Sequence, residues 1–199
     1  MAGLDANKVY LPAPDQSPTT GAVNTAATGT AAPTDAKTAL PSTWTSSGYI
    51  GPDGLSMSIS KSFTDILDWS QSMVRRALSN YTGRLSMSVM QIDEDSAKLM
   101  FGDSNVTHTA ATSGSSAHGD QLKIAIGSDV PPVKSFCFNM KDGDARVRVY
   151  VPRGQVTEMG DVQFVPSAAH MIPITIDTYD DGTGHSIYVF YDDGKVLSA

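Results

Sequence analysis

The sequence predicts a mainly β protein: a β-sandwich or partly closed barrel of antiparallel strands, with one short flanking α-helix at about 93–101. Three observations carry this. Apolar and polar residues alternate with a period of two in several separate stretches, the pattern of a strand with one wet face. Asp-Gly dipeptides punctuate the chain at Asp53-Gly54, Asp142-Gly143, Asp181-Gly182 and Asp193-Gly194, and such pairs close hairpins. One alternating run breaks at Asp93 into Asp-Glu-Asp-Ser, which opens a helix rather than extending a strand. Many short strands at this spacing favour a sandwich or barrel.

The N-terminal part, residues 1–47, reads as a short strand, Lys8-Val9-Tyr10-Leu11, followed by a Thr/Ala/Pro-rich stretch from 12 to 47. That stretch holds few large apolar groups to offset its ordering entropy. Composition leaves open a linker, an arm that orders against a neighbour, or a long loop inside the fold. After Trp44 the texture changes, and residues 48–199 read as the β domain proper.

Within that domain Leu55, Met57 and Ile59 alternate with Ser56, Ser58 and Ser60, and Leu85, Met87 and Val89 with Ser86 and Ser88. Leu122, Ile124 and Ile126 alternate with Lys123 and Ala125, and Val147, Val149 and Val151 with Arg146, Arg148 and Tyr150. Ile172, Ile174 and Ile176 follow, then Ile187 and Val189. Each run reads as a half-buried strand. The helix has Asp93 as its N-cap, Glu94 and Asp95 at the positive end of its dipole, and Gly102 where it stops. Ala97, Met100 and Phe101 form an apolar stripe. A helix this short is marginal in water and must pack on something, and the expected partner is an open face or end of the sandwich.

Composition excludes some classes. The chain has 199 residues, 40% of them hydrophobic, enough for one domain with its own core. Its formal net charge of −7 argues against non-specific affinity for nucleic acid or anionic membrane. The one cysteine, Cys137, lies between Phe136 and Phe138 and reads as a buried small hydrophobe. The start, Met-Ala-Gly-Leu-Asp-Ala-Asn-Lys, lacks a basic segment followed by an apolar run, so no signal peptide is expected. No apolar segment approaches the ~20 residues that span a bilayer.

No residue set makes a convincing catalytic or metal centre. Ser116, His118 and Asp120 share one face if their segment is a strand, but positions two apart lie ~7 Å apart, whereas a nucleophile and its base must approach to ~3 Å. The flanking 107–119 run reads as an exposed loop. His108, His118, His170 and His185 are scattered, without metal-ligand spacing. Asp177-Thr-Tyr-Asp180-Asp181-Gly182 lacks the alternating acids of a calcium loop and reads as a hairpin turn. Arg146 and Arg148 with Tyr150 on one strand could contact a phosphate backbone, be solvated, or pair with acids of a neighbouring subunit. No cofactor is expected.

The segment Lys61–Leu78 is neither cleanly helical nor cleanly alternating. It places Trp69 among Asp65, Asp68, Arg75 and Arg76. Aromatic residues and Arg are enriched where proteins meet, so this set is the candidate contact site between subunits. A core Trp with a charged rim is the other reading, and the residues alone do not separate the two.

The order of elements resembles one known family. Trp44-Thr-Ser-Ser-Gly-Tyr-Ile-Gly-Pro-Asp-Gly54 leads into an alternating strand; Asp65-Ile-Leu-Asp-Trp69 and Val74-Arg75 follow; then a strand runs into an acid-capped helix ending Leu-Met-Phe-Gly102. This is similar to the major tail tube proteins of long, non-contractile-tailed bacteriophages, especially those of actinobacteria. The resemblance implies a sandwich with the helix on its outside. It also implies hexameric rings stacked into a tube around a tape-measure protein, with tail tip and terminator proteins at the ends and the genome later passing through. On this reading the protein is a self-assembling part of the virion tail, not an enzyme, made in the host cytoplasm, with DNA passing unbound and no membrane partner. A secreted or surface carbohydrate-binding or adhesin-like sandwich is the alternative, and a small hydrolase on Ser116, His118 and Asp120 is a third.

Overall fold

Alternation puts every second side chain of a strand on one face, and the structure gathers those faces into a shared core. It is a computed structural model that describes residues 4–5, 8–15 and 21–195. In chain order the strands are β1 (Ala13–Pro14), β2 (Val23–Ala27), β3 (Thr45–Ser46), β4 (Ser56–Leu67), β5 (Met73–Val89), β6 (Val106–Thr109), β7 (Gln121–Ile124), β8 (Lys134–Asp142), β9 (Ala145–Met159), β10 (Ile172–Thr178) and β11 (Tyr188–Asp192). The α-helix α1 (Glu94–Phe101) lies between β5 and β6.

Nine strands form one antiparallel sheet, ordered β3-β2-β8-β9-β10-β5-β4, with β1 beside β8 and β11 beside β9. β6 and β7 make a separate ribbon. The large sheet does not close on itself, so the architecture is sandwich-like rather than a barrel. β9 is the pivot. Its first half pairs with β11 through Arg146–Tyr150, and its second half pairs with β10 from Gly154 onward. At that changeover the chains lie so close that a Cβ on Gly154 would sit 3.0 Å from both Phe136 and Ile176.

The main core follows the alternation. Leu85, Met87 and Val89 of β5 lie opposite Ile176, Ile174 and Ile172 of β10. They pack with Phe136 and Phe138 of β8, Val149, Val151 and Val156 of β9, and Val23 of β2. The other face of β8 and β9 is covered as well. There Cys137 and Tyr150 pack with Ala26 and Trp44, and Leu40, Tyr188 and Phe190 lean against them.

The helix forms as its acids and cap require. Asp93 accepts from the Ser96 N–H at 2.8 Å, and the Asp93 N–H donates back to the Ser96 hydroxyl at 2.9 Å, a reciprocal capping box. Gly102 ends the helix at φ 88°. Ala97 and Met100 are buried as the stripe predicts, joined by Leu99, while Phe101 is half-buried. Leu99 and Met100 belong to the main core, so the helix closes one part of it.

The N-terminal region holds a strand that its composition does not announce. Val23–Ala27 is a strand, paired on one side with β8 and on the other with β3. Small Ala and Thr side chains suit a strand squeezed between a core and a covering loop, where large ones would not fit. Residues 16–20 of that stretch lie outside the described residues. Lys8–Leu11 is not a strand. Instead Tyr10 stacks on Tyr191 at 5.6 Å, and the Leu11 N–H donates to Asp142 at 2.9 Å, so side chains hold it where a ladder was expected. Ile126 lies beyond β7 and is exposed. Among the described residues no helix is long and apolar enough to cross a membrane.

Candidate assembly surface

β4 and β5 are longer than the sheet that holds them. β10 pairs with β5 only from Val89 to Gly83. Beyond Gly83 the two strands continue as a free two-stranded arm, with Ser60–Leu67 opposite Met73–Thr82. At about 3.3 Å per residue the arm extends roughly 25 Å. β4 is an end strand of the sheet, so its outer edge carries no ladder partner among the described residues.

The arm has two unlike faces. Residues directly opposite each other in an antiparallel pair share a face. One face carries Met57 and Ile59 just before the arm, then Lys61 opposite Tyr81, Phe63 opposite Leu78, and Leu67 opposite Met73. The other carries Ser58, Ser60, Ser62 and Thr64 opposite Arg84, Thr82, Asn80 and Ala77. The apolar face is uncovered: Phe63 is 53% exposed and Leu78 55%. A lone two-stranded ribbon is at best marginally stable in water, and one that leaves its apolar side open calls for a partner.

The Asp65–Arg76 pair crosses that apolar face. Arg76 donates through Nε and Nη2 to the two Asp65 oxygens at 2.6 and 3.0 Å. The guanidinium holds the Asp65 carboxyl below its usual range and is itself pushed up by it. Arg75 lies opposite Ile66 on the other side.

At the apex, Asp68 builds the turn. Its Oδ1 accepts from the Ser70 hydroxyl at 2.7 Å and the Ser72 N–H at 2.9 Å, and these bonds lower its pKa. Gln71 takes φ 63°, the left-handed conformation this tight return requires. Trp69 stands at the tip, 100% exposed. It is not a core residue; Trp44 fills that role. All five sequence-predicted contact residues thus fall on one projecting element, and Phe63, Leu67, Met73 and Leu78 join them.

The arm's root is fixed to the body. Arg84 lies 2.8 Å from Asp177 and 3.5 Å from Glu158. The Tyr81 and Ser186 hydroxyls are 2.9 Å apart, and the Lys61 ammonium lies 6.0 Å from the Tyr81 ring centroid.

The remaining sequence candidates serve structure. Ser116, His118 and Asp120 do not form a hydrogen-bonded set: His118 Nδ1 lies 2.9 Å from the Gly119 carbonyl oxygen, and Asp120 lies 2.8 Å from His108 Nε2. His108 Nδ1 in turn lies 3.2 Å from Glu94, so it links the β6–β7 ribbon to the helix. His170 stacks on Phe164 at 4.6 Å, and His185 lies 3.1 Å from the Thr183 hydroxyl. Among the described residues no three His, Cys, Asp or Glu side chains are placed to hold a metal ion. Asp181 caps the turn before β11, accepting from the Thr183 N–H and hydroxyl and from the Tyr188 hydroxyl, which together depress its pKa strongly.

Arg148 is buried, neither solvated nor poised for phosphate. It donates to Asn139 Oδ1 at 2.7 Å, to the Asp35 carbonyl at 2.8 Å and to the Thr38 carbonyl at 2.9 Å, clamping the loop that covers the second cluster. Arg146 donates to the Gly143 and Ala145 carbonyls and lies 3.9 Å from Asp15.

The fold is a mainly β, sandwich-like antiparallel architecture with one capped helix and a projecting amphipathic ribbon. The chain belongs to the phage tail tube protein family, whose model matches residues 14–198. That family is structural and non-enzymatic, and its members build the tail tube of the virion, so the chain is a viral tail tube structural protein that self-assembles within a phage particle. The adhesin-like and hydrolase readings fall with this. Among solved structures, the chain is similar to one from a virion of a native gene transfer agent particle. Identity is 11%, the TM-score is 0.40, and the match covers 77% of this chain and 92% of that one. No curated protein matches the chain.

Proposed function

We propose that the subunit joins its copies through the β4–β5 arm into stacked rings, six subunits to a ring, and that the rings form the conduit for the genome. The observation that carries this is the arm's uncovered apolar face, with Phe63, Leu67, Met73 and Leu78 on a ribbon that its own body leaves unsupported. Asp65, Asp68, Trp69, Arg75 and Arg76 are the polar and aromatic part of the same contact. Residues 1–47 work with the 48–199 domain as its N-terminal arm or loop. The free edge of β4 adds backbone donors and acceptors that a neighbour's strand can complete. The number six rests on the family resemblance.

The lumen holds a tape-measure protein until ejection, and tail tip and terminator proteins close the ends. The DNA then passes without specific binding. Duplex DNA carries one negative charge per ~1.7 Å, and a wall formed by a protein of net charge −7 repels rather than grips it.

Electron microscopy of the concentrated full chain tests the reading. Expected are tubes or stacked rings with sixfold end views and a lumen surface that is acidic or neutral. Another symmetry overturns the hexamer, and a lumen dominated by Lys and Arg overturns the sliding model.

A further inference from the structure

Trp69 crowns the arm, and a second feature of the body matches it. Between the loop at 28–33 and β11 runs an open groove of about 720 Å³ with an aromatic floor of Tyr150, Tyr188 and Phe190. The Tyr150 and Tyr188 rings stack with centroids 6.0 Å apart. Resting on the tube reading, we infer that the Trp69 tip of one subunit seats in this groove of a second copy.

Charge selects the occupant. Two charged residues line the groove, Arg153 and Asp181. Asp181 is committed to Tyr188 and Thr183. Arg153 makes one long hydrogen bond, to the Asp180 carbonyl at 3.3 Å, leaving most of its guanidinium donors available. The tip presents the complement: Asp68, next to Trp69, is an exposed carboxylate whose Oδ1 accepts the turn's bonds from Ser70 and Ser72, and a carboxylate has lone pairs for more than these. A guanidinium at that position can receive this carboxylate and lie against the indole.

Rigidity and reach argue for a second copy. The arm is laddered to its last pair, Leu67 and Met73, and Trp69 at its tip is 100% exposed, so the tip does not occupy its own subunit's groove. The turn is held by side-chain and backbone bonds, so little ordering cost falls on docking. An indole brings about 150–250 Å² of surface, and Trp is among the residue types enriched at binding hot spots. A knob meeting a different surface is a heterologous contact, the kind that closes rings or propagates along an axis.

The chain has two tryptophans, Trp44 at 7% exposure and Trp69 at 100%, so fluorescence isolates the tip. Ala32 is exposed and lines the groove, so Ala32→Glu fills it and repels Asp68 without removing a core contact. Assembly of the wild-type chain should move the emission to the blue. Trp69→Ala and Ala32→Glu should each raise the concentration needed for polymer at least about 30-fold, with melting temperatures unchanged. Ala32→Glu alone should show no blue shift; adding Trp69→Ala protein, whose groove is intact, should restore it. Wild-type-like polymers from Ala32→Glu, or no shift on mixing, overturn the groove as the seat while leaving the tube reading intact. A wild-type chain that forms no polymer at all overturns both.

Discussion

Gly83 and Thr178 face each other across β5 and β10, and their pair is the last rung at which the body holds the arm. The Thr178 hydroxyl donates to the Gly83 carbonyl at 3.0 Å. A Cβ on Gly83 would lie 2.5 Å from that hydroxyl oxygen and 3.1 Å from Ile187 Cδ1. Gly83→Val must therefore push both side chains aside at a buried position. The expected cost is about 1–3 kcal/mol, read as a fall in melting temperature of several degrees. Gly119→Ala, which meets nothing within 4 Å, should stay within about 0.5 kcal/mol of wild type. Equal melting temperatures for the two variants would show the root to be loosely packed.

Arg148 holds the 35–38 loop without a carboxylate partner among the described residues. Arg148→Met keeps most of the volume but strips donors from the Asp35 and Thr38 carbonyls and from Asn139. Each group left unsatisfied costs about 1–3 kcal/mol, so a loss of roughly 3 kcal/mol or more is expected in a denaturant titration. Lys37 is already exposed on this loop, and once the loop loses its clamp trypsin should cut there faster than in wild type. Unchanged cleavage would mean that the loop is held by Trp44 and Leu40 packing alone.

The sequence disclosed strands wherever burial on one side enforced strict alternation, as at Leu85–Val89 and Ile172–Ile176, and it disclosed the helix through its caps. It concealed β2, because a strand made of Val, Asn, Thr and Ala between a core and a covering loop has no need of large side chains. The arm was half-legible. The residues proposed for its contact stood out by type, but its periodicity is broken on β5, where bulges skip Ser79 and Val74 and shift the phase of the apolar face. The alternation of Leu55, Met57 and Ile59 also promised half-burial, whereas Met57 and Ile59 are exposed, since they precede or begin the free arm. Burial by a second chain looks the same in sequence as burial by one's own.

That equivalence yields a prediction for the arm. Phe63 and Leu78 face each other across the ladder, are more than half exposed and are not members of the main core. Replacing both with Ser should change the monomer's melting temperature little, since exposed positions usually contribute within ±0.5 kcal/mol each. The same pair of changes should abolish sedimentable polymer. If polymer persists at wild-type concentrations, the apolar face is not the contact.

The Asp35 carboxyl gives a pH signature. Hydrogen bonds from the Thr38 hydroxyl and from the Thr38 and Lys37 N–H groups hold its pKa at about 2, against an ordinary 3.8. A folded-state pKa below the unfolded one adds stability above the unfolded value, and that stability is lost as pH falls through the folded one. The contribution should be complete above pH 4 and vanish between about 4 and 2. A carbon-13 titration of the Asp35 carboxyl should show a midpoint near 2, and the stability gap between wild type and Asp35→Asn should close over the same window. A midpoint near 3.8 would mean the loop's caps are not formed in solution.

Cys137 offers a clock for opening of the second cluster. Burial pushes its thiol up to about 12, so at pH 8 the thiolate fraction is roughly one in ten thousand, and the buried sulfur is out of a reagent's reach in any case. As the sole cysteine, it makes alkylation by iodoacetamide a report on one site. The native chain should resist labelling at pH 8 for hours. Because Cys137 packs with Trp44 and Tyr150 under the loop that Arg148 clamps, Arg148→Met should label much faster, and the Phe63→Ser, Leu78→Ser variant, altered only on the arm, should label at the wild-type rate. Rapid labelling of the wild type would show that the loop opens on its own, and equal acceleration in both variants would show that arm and body unfold as a single unit.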